Sequence, residues 1–313
     1  MSIWQTKNWQ EMLVLSWQTK NFFIIDDIYI EKRKVFLKEY GLFVLWLNKN
    51  ILSKSKIKKL INLCKQEKCL FIQIEFLDYK NIKSFNNLNS LINIRKEYNW
   101  FNKWFYKKFI TPFTAVIDLQ KSEDEILAWM KPKWRYNIRL SEKKWVKAKT
   151  VEKNIKNIKI FYDLMLETTN RDKFNWNSLD FYQNFLKNIK NSKLLFTYKW
   201  DIVIAWGIFV FDREVFLYYY WASTSNKKYR NLMAPYLLQW GAIKIAKKLN
   251  NKIYDFLWVS SPGESSSLSW VTDFKMKLTS DVREVSKSYI WINKNFKYYI
   301  IILLRKIRKS LMN

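Results

Sequence analysis

Apolar and polar positions follow two rhythms that trade places along this chain. "FFIIDDIYIEKRKVFLKEYGLFVLWL" (22–47) holds three apolar runs with short polar breaks, the pattern of an antiparallel meander. "SKSKIKKLINLCKQEK" then sets Ile57, Leu60, Ile61 and Cys64 at helical spacing. "CLFIQIEFL" and "FTAVIDL" read as buried strands. In "SEDEILAWMKPKWRYNIRLSEKK", Ser122 and Glu125 form a capping box that opens a helix. Pro132 breaks it, and a second, basic helix runs through Lys144. "NIKIFYDLMLETTNRDKF" and "SLDFYQNFLKNIK" are amphipathic helices. Residues 194–223 read as a hairpin, "RNLMAPYLLQWGAIKIAKKLN" as a helix and "KIYDFLWV" as a strand. "SLSWVTDFKMK" reads as a tight loop running into a strand, and "FKYYIIILLRKIRKSLMN" as a basic amphipathic helix.

This order of elements predicts an α/β (α+β) protein. At 313 residues it forms two domains, or one large α/β domain. An apolar content of 49% is ample for packed cores. No GxGxxG or other Gly-rich phosphate loop follows a strand, which argues against a Rossmann nucleotide site. No apolar run reaches 18 residues, and the first residues lack a signal-peptide pattern, so a cytoplasmic protein is expected.

Composition narrows the chemistry. There is no His, and Cys64 and Cys69 are the only cysteines. Two cysteines without other nitrogen or sulfur ligands do not build a structural zinc site. Ser–His and Cys–His nucleophiles are excluded. Neither metal nor cofactor is expected, and the reaction must run on Lys, Arg, Tyr, carboxylates, backbone or substrate. The net charge of +29 fits a phosphate-bearing partner. It fits equally the Lys-rich codon bias of an AT-rich genome, so local Arg clusters say more than the total.

Tryptophan changes the picture. The chain has 17 Trp and only 4 Gly, where average usage would give about 22 Gly. The excess of one matches the deficit of the other. Trp145 follows a helix end, where glycine is the usual C′ residue. Trp200 sits in the hairpin turn "YKWD". Trp221 and Trp258 end strands, Trp176 lies in the loop "KFNWNS", and Trp270 stands at the turn of "SLSWVTDFKMK". UGA is read as glycine in some bacterial lineages. These positions are therefore expected to be glycines printed as Trp by a standard translation. Trp9 and Trp240 fit apolar patterns and read as genuine; Trp4, Trp46, Trp129 and Trp291 stay unassigned.

With glycine restored, the motifs become "KPKGRYNIRLSEKKGV", "YYYGAS", "YDFLGV" and "LSGVTDFK". Together with "ETTNRDKF", "STSNKKYRNLMAPYLLQW" and a weaker "SIWQTKNWQEM", they resemble the Fem family (FemA, FemB, FemX) in the same order. Those enzymes are aminoacyl-tRNA-dependent transferases that build peptidoglycan cross-bridges. The resemblance is dense from 117 to 278. It implies two N-acetyltransferase-like (GNAT) domains, 1–120 with 285–313 and 121–284. The layout is the compact one of FemX, because no heptad segment supplies a coiled-coil arm. After Phe274-Lys275 the chain has "MKLTSDV" in place of the family's Gly-rich continuation.

The resemblance puts Lys275 at the family's catalytic position, with Phe274 walling the site against water. An amine attacks the ester carbonyl of aminoacyl-tRNA, and the charge that develops on oxygen needs a fixed positive donor. No His is present to take the amine's proton, so a substrate hydroxyl or the leaving ribose oxygen relays it. Arg135 and Arg139, four apart and beside Tyr136, share a helix face with Lys143. They are candidates for phosphate, or a solvated basic face. Arg230 precedes a helix whose N-terminal dipole favours an anion, and Tyr236 points into that cleft or into the core. Tyr254 and Asp255 end a strand and are substrate contacts or backbone acceptors. Glu75 lies inside an apolar strand and requires a partner or a cleft. The tail 296–313 contacts anionic lipid at the inner face of the plasma membrane, or docks on the first domain.

The primary expectation is therefore an aminoacyltransferase, acting as a monomer. It moves an amino acid from aminoacyl-tRNA to the stem peptide of a nucleotide- or lipid-linked peptidoglycan precursor. An acyl-CoA-dependent N-acyltransferase of the same fold and a non-catalytic basic RNA-binding protein are the alternatives.

Overall fold

A computed structural model of the chain describes residues 2–48, 51–79, 95–96, 106–107, 109–172, 176–260 and 269–311. One unit comprises Met1–Pro112 and Glu284–Asn313, the other Phe113–Arg283. The expected boundary lay at 120. The strand Phe113–Asp118 pairs inside the second unit's sheet, so the division falls before it.

In the first unit, helix α1 (Lys7–Leu15) precedes a meander of β1 (Asn21–Ile25), β2 (Ile28–Phe36) and β3 (Glu39–Leu47). The three apolar runs of 22–47 thus form three antiparallel strands. A parallel neighbour needs a crossover; α2 (Lys54–Gln66) supplies it and leads to β4 (Phe71–Phe76), parallel to β3. Ile57, Leu60 and Cys64 turn inward from α2 and pack with Ile28, Leu42, Val44, Ile72 and Ile74. The short β5 (Arg95–Lys96) pairs with β13 (Ser288–Ile292), which also pairs with β4, and α10 (Asn295–Leu311) follows β13.

The second unit contains β6 (Phe113–Asp118), α3 (Glu123–Trp129), α4 (Pro132–Lys143), β7 (Val146–Val151), α5 (Ile155–Asp172) and α6 (Leu179–Asn188). There follow β8 (Ser192–Lys199), β9 (Ile202–Phe211), β10 (Val215–Ser223), α7 (Lys227–Arg230), α8 (Ala234–Lys248), β11 (Ile253–Asp255), α9 (Ser269–Lys275) and β12 (Val282–Glu284). The described strands run in the order β12-β6-β11-β10-β9-β8-β7. The Ser122–Glu125 capping box is formed, and Pro132 opens α4, where a missing N–H costs nothing.

Three expectations are corrected. Residues 194–223 make three strands rather than a hairpin, because Asp212 turns the chain a second time by accepting from the Glu214 and Val215 N–H groups. "VKAKTV", short and basic, was not expected as a strand and forms the edge strand β7. "SWVTDFK" is a helix rather than a turn into a strand, so Trp270 lies in a helical turn. Ser267 and Leu268, the start of that motif, lie outside the described residues.

Five tryptophans occupy glycine's backbone. Trp17, Trp46, Trp145, Trp200 and Trp258 have φ of 57°, 60°, 58°, 53° and 37°, the left-handed region that disfavours any residue with a Cβ. Of the described glycines, none has a φ in that region. Trp17 closes α1 in a Schellman motif: its N–H bonds to the Val14 carbonyl, and the Gln18 N–H to Leu13. Trp145 ends α4 at the same C′ position. Trp46 sits at a register shift of β3, stacked on Trp4 with ring centroids 3.3 Å apart. Trp221 is different: it lies within β10 without a positive φ. Trp9 and Trp240 are buried helical residues, as their patterns implied. Trp134 and Trp206 are fully buried, and neither indole N–H has a hydrogen-bond partner among the described residues.

If these positions are recoded glycines, peptides of the protein made by its own organism carry glycine mass at 17, 145, 200 and 258. In the chain as printed, Trp145→Gly and Trp200→Gly should each add about 1 kcal/mol by releasing a left-handed L-residue. Denaturant midpoints measure this, and a loss of stability in both variants would contradict it.

Candidate active site

Phe256 donates its N–H to the Ala115 carbonyl and Val259 to that of Phe113. Two residues, Leu257 and Trp258, therefore stand opposite the single residue Thr114. This is a β-bulge, and both extra residues have positive φ, 51° and 37°. Asp255 fixes the bulge: its Oδ1 accepts from the Leu257 N–H at 2.6 Å and from the Thr114 hydroxyl. The Leu257 and Trp258 carbonyls accept from Lys275 Nζ, the latter at 2.9 Å. Lys275 ends α9 and is 5% exposed. Burial pulls its pKa down to about 7, with the charge of Asp255 opposing the shift.

One residue earlier on α9, Phe274 lines a cleft of about 350 Å³. Its other walls include Trp221, Tyr229, Tyr236 and the two guanidinium residues Arg171 and Arg230. Trp134 backs it, with its ring centroid 4.2 Å from that of Tyr236 and 5.1 Å from that of Phe274. Met233, Ala234 and Pro235, at the N-terminus of α8, also line it. That helix start has no side-chain cap among the described residues, so its dipole and the arginines make the cleft favourable for an anion. α5 fastens the loop that leads there. Thr168 donates to the Ser223 carbonyl at 3.0 Å, Glu167 accepts from the Ser225 N–H, and Arg171 donates to Ser225 Oγ at 3.2 Å.

The sequence-derived candidates separate into three groups. Arg230, Tyr236 and Phe274 line one cleft, and Lys275 is buried beside Phe274 without lining it. Tyr254 is a buried structural residue, donating to Gln239 Oε1 at 2.6 Å, while Asp255 reaches the site through the bulge. Arg135 is engaged locally: Nη1 donates to the Ala128 and Met130 carbonyls at 3.1 and 2.6 Å, capping the end of α3. Tyr136 and Arg139 are exposed on α4. Glu75 belongs to the other unit, where it accepts from the Phe109 and Ile110 N–H groups. Arg171, Glu167, Thr168 and Thr114 were not singled out from sequence, although the first three lie in the quoted "ETTNRDKF".

The residues that match a family model are 58–197 and 190–306, and the family is FemAB. The chain belongs to the FemAB family. It is an aminoacyltransferase of peptidoglycan bridge formation, and the family's substrate classes are aminoacyl-tRNA and a peptidoglycan precursor. A crystal structure of FemX is similar at 14% identity and TM-score 0.79, over 96% of this chain and 94% of that one. A conserved protein from Bacteroides thetaiotaomicron gives 12% identity and TM-score 0.60, over 93% and 91%. L-PGS from Bacillus licheniformis gives 13% and 0.58, over 95% and 91%. At these identities the likeness is one of fold: the two-unit fold of FemX, without a long coiled-coil arm among the described residues. No curated protein matches the chain.

This FemAB site makes stability depend on pH. The Lys275 pKa is near 7 folded and near its ordinary 10.5 unfolded, so between these values the unfolded chain binds the extra proton. Stability then rises with pH from about 7 to about 10.5, by at most about 1.4 kcal/mol per pH unit. Lys275→Met should remove this rise, so its stability relative to the parent is highest at pH 6 and falls toward pH 10. Denaturant midpoints at the two pH values measure the difference, and equal differences would refute the burial argument.

Proposed function

We propose that this FemAB protein moves the amino acid of an aminoacyl-tRNA onto the stem peptide of a peptidoglycan precursor in the second unit's cleft, as a monomer in the cytoplasm. The described residues that line the cleft all come from that unit, which supports a site complete within one chain. The observation that carries the reading is the buried Lys275 next to an aromatic cleft lined by Arg171, Arg230 and a helix N-terminus.

The stem-peptide amine attacks the ester carbonyl. A C–N bond forms, the carbonyl oxygen becomes an oxyanion, and the C–O bond to the terminal ribose breaks. The proton of the attacking amine passes to the leaving ribose oxygen. Two of the three Lys275 donors are held by the Leu257 and Trp258 carbonyls. The third is the one that meets the oxyanion, which requires the ester to reach past Phe274, since Lys275 does not itself line the cleft. A donor fixed before reaction needs no reorganisation when charge appears. Phe274, Tyr236 and the residue at 134 keep water from the ester. Arg171 and Arg230 bind phosphate already charged in the ground state, where a planar fork suits phosphate oxygens. Arg135 has its role in capping α3.

Lys275→Ala should lower single-turnover transfer by about 10²–10³ while leaving tRNA affinity nearly unchanged, since one charge among many adds little to phosphate-driven binding. Arg230→Ala should raise the substrate concentration needed and spare most of the rate at saturation. The assay uses labelled aminoacyl-tRNA, a stem-peptide precursor and the mass of the product. A requirement for coenzyme A, or tRNA binding without amide product, would overturn the reading.

A further inference from the structure

Helix α10 is apolar on two faces. Tyr298, Ile301 and Ile302 are buried. On the other side Phe296, Ile300, Leu303, Leu304 and Ile307 are exposed, with Phe296 at 80% and Leu303 at 51%. At 3.6 residues per turn these five fall within an arc of about 100°. Lys306 flanks the arc on one side, Lys297 and Arg308 on the other. Residues 295–313 carry five basic side chains and no acidic one. A contiguous apolar stripe left in water is a contact surface rather than ordinary exposure.

We propose that this face of α10 lies in the interface of an anionic lipid bilayer, parallel to the surface. The apolar stripe enters the acyl boundary while the flanking cations reach the headgroups, which suits an apolar face with basic borders. Charge selects this occupant over a second copy of the chain. Two α10 helices face to face would bring like charges together, whereas an anionic surface neutralises them. None of the described helices is long and apolar enough to cross a membrane, so the contact is peripheral.

The test mixes the full chain with vesicles of phosphatidylcholine, with and without phosphatidylglycerol, and sediments them. The chain should pellet with the phosphatidylglycerol vesicles, stay in the supernatant with pure phosphatidylcholine, and be released by salt. Leu303→Glu with Ile307→Glu should weaken binding at least tenfold at unchanged melting temperature, since both side chains face solvent. Arg308→Ala should weaken it about fivefold, the share of one basic residue near an anionic surface. Absence of vesicle binding, binding unaffected by the double variant, or a solution dimer that the double variant dissociates would each overturn the proposal. Vesicle binding reads no transfer chemistry, so its failure leaves the transferase reading untouched.

Discussion

A buried ammonium dominates the second unit. Taking Lys275 out of water is costly unless oxygen atoms surround it, and the nearest oxygens belong to a backbone that an ordinary strand would turn along its ladder. The bulge at Leu257 and Trp258 turns two carbonyls onto Nζ instead. Asp255 and Thr114 then hold the bulge, and the Asp255 charge keeps the Lys275 pKa from falling further. The strain of two left-handed residues, the buried carboxylate and the lowered pKa are therefore consequences of one requirement. They combine next to Phe274, which lines the aromatic cleft.

Legibility in the sequence followed the range of each interaction. Periodicity found β1 to β4, α2 and α10, because an apolar stripe at period 2 or 3.6 is written in neighbouring residues. The capping box before α3 was readable for the same reason. The third strand of 194–223 and the edge strand β7 were missed: their pairing depends on Asp212 and on the basic, half-exposed character of "VKAKTV". "SWVTDFK" was read as a strand because Val271, Thr272 and Phe274 favour one. Tertiary packing of Phe274 against Trp134 and Tyr236 supports the helix that is found there.

The site was legible only in part. Motif order named Arg230, Tyr236 and Phe274, which line one cleft, and Lys275 beside Phe274, but spacing on one helix could not say that Arg135 turns back to cap α3. Glu75 was correctly read as needing partners, which its own unit supplies. Arg171 was hidden because its place in the cleft depends on α5 holding the loop after β10, a contact between residues more than fifty apart. Of the glycine-like positions, Trp145, Trp200 and Trp258 were legible from their place at element ends, whereas Trp17 was not singled out and Trp176, Trp221 and Trp270 do not have a left-handed backbone. A Schellman turn at Trp17, a helix C′ position at Trp145 and a bulge at Trp258 demand a left-handed backbone whatever letter is printed there.

The pH dependence of single-turnover transfer tests the central claim most directly, measured for the parent chain and for Asp255→Asn, whose amide oxygen can still accept from Leu257. A Lys275 ammonium that stabilises the oxyanion predicts a rate that falls as pH rises through about 7. Losing the Asp255 charge should move that limb to lower pH. A rate that climbs through neutrality, or a falling limb that Asp255→Asn leaves in place, would contradict the account.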